Sequence, residues 1–339
     1  MIFAFLFYCV VILAMICYAM LDGFDLGVGI LHPFAKSDMD RRIFLNAIGP
    51  VWDGNEVWLV IVGGTLFGGF PEVFGTLFPA FYNAVMVLLL GLILRAVSIE
   101  FRSKRESARW RNNWDYLFFF GSIVIAFGLG LTVGNLIEGL PIDANHQYLG
   151  SVFNFIHPYS IIVGITAVAL FAMHGAIFLV MKTEGELHDR VRSWVPKVIG
   201  IFIALYTITT IYTFVAKPFM VQPMFDRPYL FLIPLISLAG IIAVPILMKK
   251  EQDGWAFISS CISIATLLIL TVIGTFPYMI RSTIDPVQNS LTIYNSSSSE
   301  LTLKILLIIV AFGVPLVLGY GFYIYRIFRG KVEIDERSY

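Results

Sequence analysis

The sequence predicts an all-α integral membrane protein, a single polytopic membrane domain over residues 1–339 with nine transmembrane helices, its N-terminus outside and its C-terminus cytoplasmic. Three observations carry that expectation. Of the 339 residues 58% are hydrophobic and only 14% charged, and the mean hydropathy is +0.83, away from the balance of a water-soluble domain. Apolar runs of about 20 residues, the length that crosses a bilayer core, recur along the whole chain. The Lys and Arg residues, finally, gather in alternate connections between those runs. A net charge of zero leaves no electrostatic footprint for nucleic acid, and membrane lipid is the expected solvent.

The runs are justified in order. The first, 2–31, has no cationic segment before it, since the first Lys or Arg is Lys36, and no small-residue cleavage site after it; it reads as a retained span. The second, 53–70, holds "WLVIVGGTLFGGF" and is short and glycine-rich enough for a re-entrant hairpin, but the charge pattern favours a crossing. The others, 75–98, 115–137, 157–181, 197–216, 229–248, 255–277 and 304–326, are apolar stretches between polar breaks. Nine crossings put the termini on opposite sides. Cations at 36–42, 95–111, 182–197, 249–250 and 326–337 follow the odd-numbered runs, and only Lys217, Arg227, Arg281 and Lys304 fall on the other face. The positive-inside rule makes the first face cytoplasmic. All six tryptophans fall at the same ends and read as interface anchors. "AKPFMVQPMFDRP" and "NSSSSE" are outer loops.

Several chemistries have no footing. Cys9, Cys17 and Cys261 lie inside apolar runs with neither CxxC nor metal-ligand spacing, so they read as packing residues. A transmembrane b-type haem commonly needs two histidines at one depth on facing helices. Of five histidines only His174 lies deep in an apolar run, and a lone one reads as hydrogen-bonded packing. There is no Walker loop, no dinucleotide fingerprint and no HExxH helix. The expectation is that this chain binds no metal and no haem.

What the sequence does offer is a group of acids. Asp22 and Asp25, in "YAMLDGFDLGVGI", approach the carboxyl end of the first helix; Asp53 and Glu56, in "GPVWDGNEVWLV", open the second on the same side. A spacing of three puts each pair on one helical face. The two pairs stand under opposite ends of helix dipoles, an arrangement a proton relay can use. "DGNE" also has the form of a capping box, with Trp52 and Val57 as its hydrophobic staple, which would make Asp53 and Glu56 structural. Leu26, Val28, Ile30 and Leu31 continue the apolar run past both aspartates and draw Asp25 into the membrane. An unneutralised charge there costs about 2.5–3.5 kcal/mol, so a partner or a proton is expected. Gly23 and Gly27 form GxxxG and Gly29 extends the small face, making all three candidates for close packing of another helix or a subunit contact.

Together, "DGFDLGVGIL" (22–31), "GPVWDGNEVWL" (49–59), "FRSKRESARWRNNWD" (101–115), "GNLIEGLP" (134–141), "TEGELHDR" (183–190) and "FPYMIRSTIDPVQNSLTIYNSSSSELTL" (276–303) resemble subunit II of the cytochrome bd family of quinol oxidases. The resemblance runs from the first span to the last. It implies two four-helix bundles plus one peripheral helix, and a heterodimer in which a homologous subunit I carries the haems b and d and the quinol site. Subunit II then supports haem assembly and offers a cytoplasmic proton route to the oxygen site. The family aspartates of that route match Asp25 and Asp53; position 56 is Gln in many members, so Glu56 departs from the pattern. A bound quinone in this chain and a small third subunit stand as further candidates.

The expected function is therefore that of the non-haem subunit of an oxidase coupling quinol oxidation to reduction of O2 to water. Asp25, Asp53, Glu56 and Asp22 are the proton-transfer candidates. The alternative from another class is a proton-coupled secondary transporter, which also sets acids and glycines in short or broken helices.

Overall fold

The structure, a computed structural model, describes residues 1–334; Arg337, counted above with the C-terminal cations, lies outside the described residues. In chain order the helices are α1 (Ile2–Leu31), α2 (Asp38–Ile48), α3 (Trp52–Gly69), α4 (Pro71–Ala80), α5 (Tyr82–Phe101), α6 (Ala108–Glu138), α7 (Pro158–Lys182), α8 (Gly185–Ala216), α9 (Gln222–Asp226), α10 (Leu232–Lys249), α11 (Asp253–Thr275) and α12 (Glu300–Ile327). A two-stranded antiparallel ribbon, β1 (Tyr278–Ile280) and β2 (Leu291–Thr292), lies between α11 and α12. Among the described residues eight helices are long and apolar enough to cross a membrane: α1, α5, α6, α7, α8, α10, α11 and α12.

The predicted second and third runs depart most from expectation. The second is α3, a continuous helix, but its polar opening and five glycines dilute its apolar character. The third, 75–98, is not one helix: the chain breaks at Phe81 between α4 and α5, two residues after Pro79, a site that removes a helical N–H from an otherwise apolar stretch. The sixth run departs in the other direction, at Pro196. There the predicted run begins, whereas α8 passes through it from Gly185.

α1 is the central element, packed against α3, α6, α7, α11 and α12. Its fit to α7 depends on paired glycines. A Cβ on Gly27 would fall 1.9 Å from the Phe171 carbonyl oxygen, and one on Gly175 would fall 2.4 Å from the Gly27 backbone. The two backbones therefore touch, as small residues in membrane helices allow. Gly23 lies against Phe171 of α7, and Gly29 against Ser122 of α6. All three glycines are buried and filled from within the chain, so this face is closed to a second subunit.

At the Met1 end, the Phe3 ring lies under Lys304 Nζ at 4.8 Å, and Ser298 donates to Gly69 O at 2.8 Å and to Gly68 O at 2.7 Å. At the opposite end, Tyr325 of α12 reaches Asn55 of α3. α3 thus runs alongside α12 between those two ties, and the last described residues lie at the end away from Met1. Gly139, at φ +97, closes α6 in the left-handed conformation that favours glycine. The loop after it is bound to the ribbon by Leu140 N to Arg281 O (2.8 Å) and Ser282 Oγ to Ile142 O (2.8 Å).

α2 starts with a capping box. Ser37 Oγ accepts from Asp40 N at 3.0 Å, while Asp40 Oδ2 accepts from Ser37 N at 3.2 Å. The tryptophans do not behave alike. Trp58, well inside α3, is buried against Ala14, Cys17 and Tyr18, so it is a packing residue and no interface anchor.

Candidate functional site

Asp22 and Asp25 are both fully buried. α1 continues unbroken to Leu31, so neither aspartate is at a helix end. Asp22 is met by Arg95 of α5, itself fully buried: Nη1 donates to Oδ2 at 2.9 Å, and Nη2 bonds the other carboxylate oxygen. Such a forked pair satisfies both groups at once. Arg95 Nη2 also lies 3.3 Å from Glu56 Oε1, so one arginine binds carboxylates from two helices. Sequence reasoning had counted Arg95 only toward the cytoplasmic charge. Its lone position inside the apolar "GLILRAVSIE" was the signal available.

Asp25 has a different partner. Its Oδ2 accepts from Asn55 Nδ2 at 2.7 Å, and Asn55 Nδ2 also reaches Leu21 O at 3.2 Å. The Asn55 carbonyl accepts from the Tyr325 hydroxyl at 2.9 Å. Asp25 Oδ1 and Arg95 Nε, both buried, have no hydrogen-bond partner in the protein. Buried polar atoms are almost always paired, by protein or by water, so these two mark a polar interior site. Neither Asn55 nor Tyr325 is singled out by the sequence. Nothing in one sequence links positions 270 residues apart.

Asp53 needs correction. α3 begins at Trp52 with Val51 as its N-cap, and no side chain caps it, so "DGNE" is not a capping box. Asp53 sits in the first turn, exposed, outside the cluster. The structure therefore brings together Asp22, Asp25 and Glu56 with Arg95, Asn55 and Tyr325, and leaves Asp53 at the polar opening above Glu56.

His174 is fully buried with both ring nitrogens engaged, Nδ1 with Ser260 Oγ at 2.7 Å and Nε2 with Met20 O at 2.9 Å, and it stacks on Phe257 at 4.7 Å. Neither nitrogen is left for a metal. Among the described residues no group of three or more His, Cys, Asp or Glu side chains is placed to hold a metal ion. A second polar network fastens the connections at the same end as the cluster. His32 Nε2 meets Asp115 Oδ1 at 2.6 Å, Arg102 reaches Asp115 and Asp38, and Arg190 reaches Asp40 at 3.0 Å. Burial disfavours the Asp40 carboxylate, but hydrogen bonds from Ser37 and Lys36 N and the charge of Arg190 outweigh it and hold its pKa below the usual carboxylate range.

The fold and site define a multi-pass helical membrane protein built around a buried arginine–carboxylate pair and a second carboxyl with one free oxygen. Residues 3–328 match the profile of cytochrome bd terminal oxidase subunit II, and the chain belongs to that family. It is a multi-pass protein of a bacterial membrane and a subunit of a terminal oxidase. It is 33% identical over 335 residues to "Cytochrome bd ubiquinol oxidase subunit 2" of Bacillus subtilis (strain 168), covering 98% of this chain and 97% of that one. It is 30% identical over 363 residues to "Cytochrome bd-I ubiquinol oxidase subunit 2" of Escherichia coli (strain K12), covering 98% and 96%. Its fold matches a chain of the bd oxidase structure from Geobacillus thermodenitrificans with a TM-score of 0.80 at 18% identity, covering 97% of this chain and 99% of that one. The transporter reading has no support beside these likenesses.

Proposed function

We propose that this chain is the non-haem subunit of a bd-type oxidase that couples quinol oxidation to reduction of O2 to water. Its buried cluster conducts protons from the cytoplasm toward a haem-bearing subunit I. The observation that carries the reading is Asp25: fully buried, one oxygen held by Asn55 and the other free of any protein partner. A carboxyl with one fixed and one open oxygen can take a proton on one side and release it after small rearrangements. Asp53 at the polar opening collects protons and Glu56 passes them inward. The Arg95–Asp22 pair fixes the electrostatic setting, and Asp25 is the inner station. Waters bridging Asp25 Oδ1 and Arg95 Nε complete the path.

Nine crossings, with the N-terminus outside and the C-terminus cytoplasmic, fit this reading. α3, the least apolar of the nine, is tied near both its ends to the two ends of α12, which supports a full crossing. The charge distribution sets the sign. Two four-helix bundles with one peripheral helix, support of haem assembly in subunit I, and a small third subunit belong to the same proposal. A quinone in this chain has a candidate site in an apolar cavity of about 1750 Å³ lined by α1 and α3–α11, with Asn83, Gln222 and Arg281 among its polar lining residues. The walls suit an isoprenoid tail. The wall hydroxyls of Thr166 and Thr213 already donate to helix carbonyls.

The test is quinol-driven oxygen uptake by the purified heterodimer carrying Asp25→Asn, scored beside its haem content. A loss of at least about tenfold with haems retained supports the relay. Full turnover with haems retained overturns it, and loss of haem assigns Asp25 to packing.

A further inference from the structure

Within this chain alone, α12 is the least buried of the spans. Only Leu303 in it is buried, and 6% of its most apolar window is buried, against 61% for α7. Pro315 interrupts its hydrogen-bond ladder, so the half carrying Tyr325 is not set rigidly by the half tied to Ser298 and Phe3. Yet Tyr325 must be held to about an ångström for its hydroxyl to stay on Asn55, and one neutral hydrogen bond is weak.

The chain after α12 supplies the missing anchor. Lys182, the last residue of α7, donates from Nζ to Phe328 O at 2.6 Å; Val332 N donates back to Lys182 O at 2.9 Å; Lys331 Nζ donates to Val180 O at 3.1 Å. The last carbonyls of a helix have no partner within it, and here two of those of α7 are taken by the segment that follows α12. α7 is also the helix locked backbone to backbone against α1 at Gly27. Val332, Ile324 and Tyr325 pack on the core cluster that contains Phe24 and Phe178, whose rings stack at 4.0 Å. The least buried helix is thus tied to the most buried one, about a turn beyond Tyr325, whose hydroxyl holds Asn55.

We propose that residues 328–332 form a strap, with Lys182 and Lys331 as positioning residues, that holds the Tyr325 end of α12 in register and thereby keeps Asn55 on Asp25. This rests on the proton-relay reading for its effect on turnover, but not for the strap itself. Lys182 touches no substrate and acts through Tyr325 and Asn55.

Two readouts on the purified heterodimer separate the parts. In the first, backbone hydrogen exchange is followed over residues 320–332 in wild type and Lys182→Met. Faster exchange there, with α7 unchanged, is expected; unchanged exchange overturns the strap whatever happens to turnover. The second is the pH profile of quinol-driven oxygen uptake, with haem content as control, for Lys182→Met, Tyr325→Phe, the double variant and Lys182→Arg. Lys182→Met should slow turnover severalfold and shift the profile as Tyr325→Phe does. The double variant should lose no more than the worse single one, and Lys182→Arg should recover most of the rate. Additive losses, or a silent Lys182→Met where Asp25→Asn is slow, overturn the positioning role. If Asp25→Asn is itself silent, the relay reading fails, and the exchange result alone decides the strap.

Discussion

Asp22 and Asp25 lie three residues apart on one helix face, and their neighbours give them different roles. Asp22 is bound by a buried arginine at two points, while Asp25 is held through one oxygen by an amide. Removing one member of a buried pair leaves the other charge without compensation, at a cost of about 3–5 kcal/mol. Arg95→Leu is therefore expected to lower the thermal midpoint of the complex and its haem content. The double variant Arg95→Leu with Asp22→Leu should recover part of that stability, as read by thermal denaturation in detergent. That the two aspartates mattered was legible, because charge in an apolar run has to be compensated. Their partners were not. Arg95, Asn55 and Tyr325 come from three other helices, and pairing across such distances is decided by packing. Asp53 lies exposed in the first turn of α3 while Glu56, three residues on, reaches Arg95, a difference in depth that their spacing does not reveal.

Single backbone positions carry the helix packing. Gly27→Val places side-chain atoms where the α7 backbone already runs, and overpacking of this kind costs about 1–3 kcal/mol, more against backbone than against a movable side chain. The variant should fail to accumulate as a folded subunit, whereas Gly64→Ala, with nothing within 4 Å of its new Cβ, should behave as wild type in detergent-solubilised yield. GxxxG in the sequence announced close packing but not its partner, which is α7 of the same chain. α2 gives a pH-dependent counterpart. Because the folded state lowers the Asp40 pKa, the stabilisation it brings is present above the usual carboxylate range and is lost as pH falls through the folded value. Asp40→Asn should lower the thermal midpoint at neutral pH, and the gap from wild type should close on acidification; a constant gap would contradict the assignment. The break between α4 and α5 and the start of α8 at Gly185 were both missed because apolar runs were bounded by polar residues alone, which neither marks a break inside an apolar stretch nor shows that a polar segment stays helical.

For the whole molecule, composition and alternating charge made an all-helical membrane protein legible, with eight of the nine expected runs corresponding to helices able to span, and the motifs pointed to its family. The cluster lies at the end of α12 away from Met1, in line with a proton entrance on the face where the cations gather. On the proposed function, water-forming protons enter through this chain from the cytoplasmic side by way of Asp25. It is tested most directly by the heterodimer in liposomes, with a pH indicator on the cytoplasmic face of the complex and quinol-driven turnover started on demand. Wild type should take up protons from that face in step with oxygen consumption, and Asp25→Asn with a full haem complement should slow uptake and oxygen consumption together by about tenfold or more. Uptake in Asp25→Asn as fast as in wild type, from the same face, would contradict it.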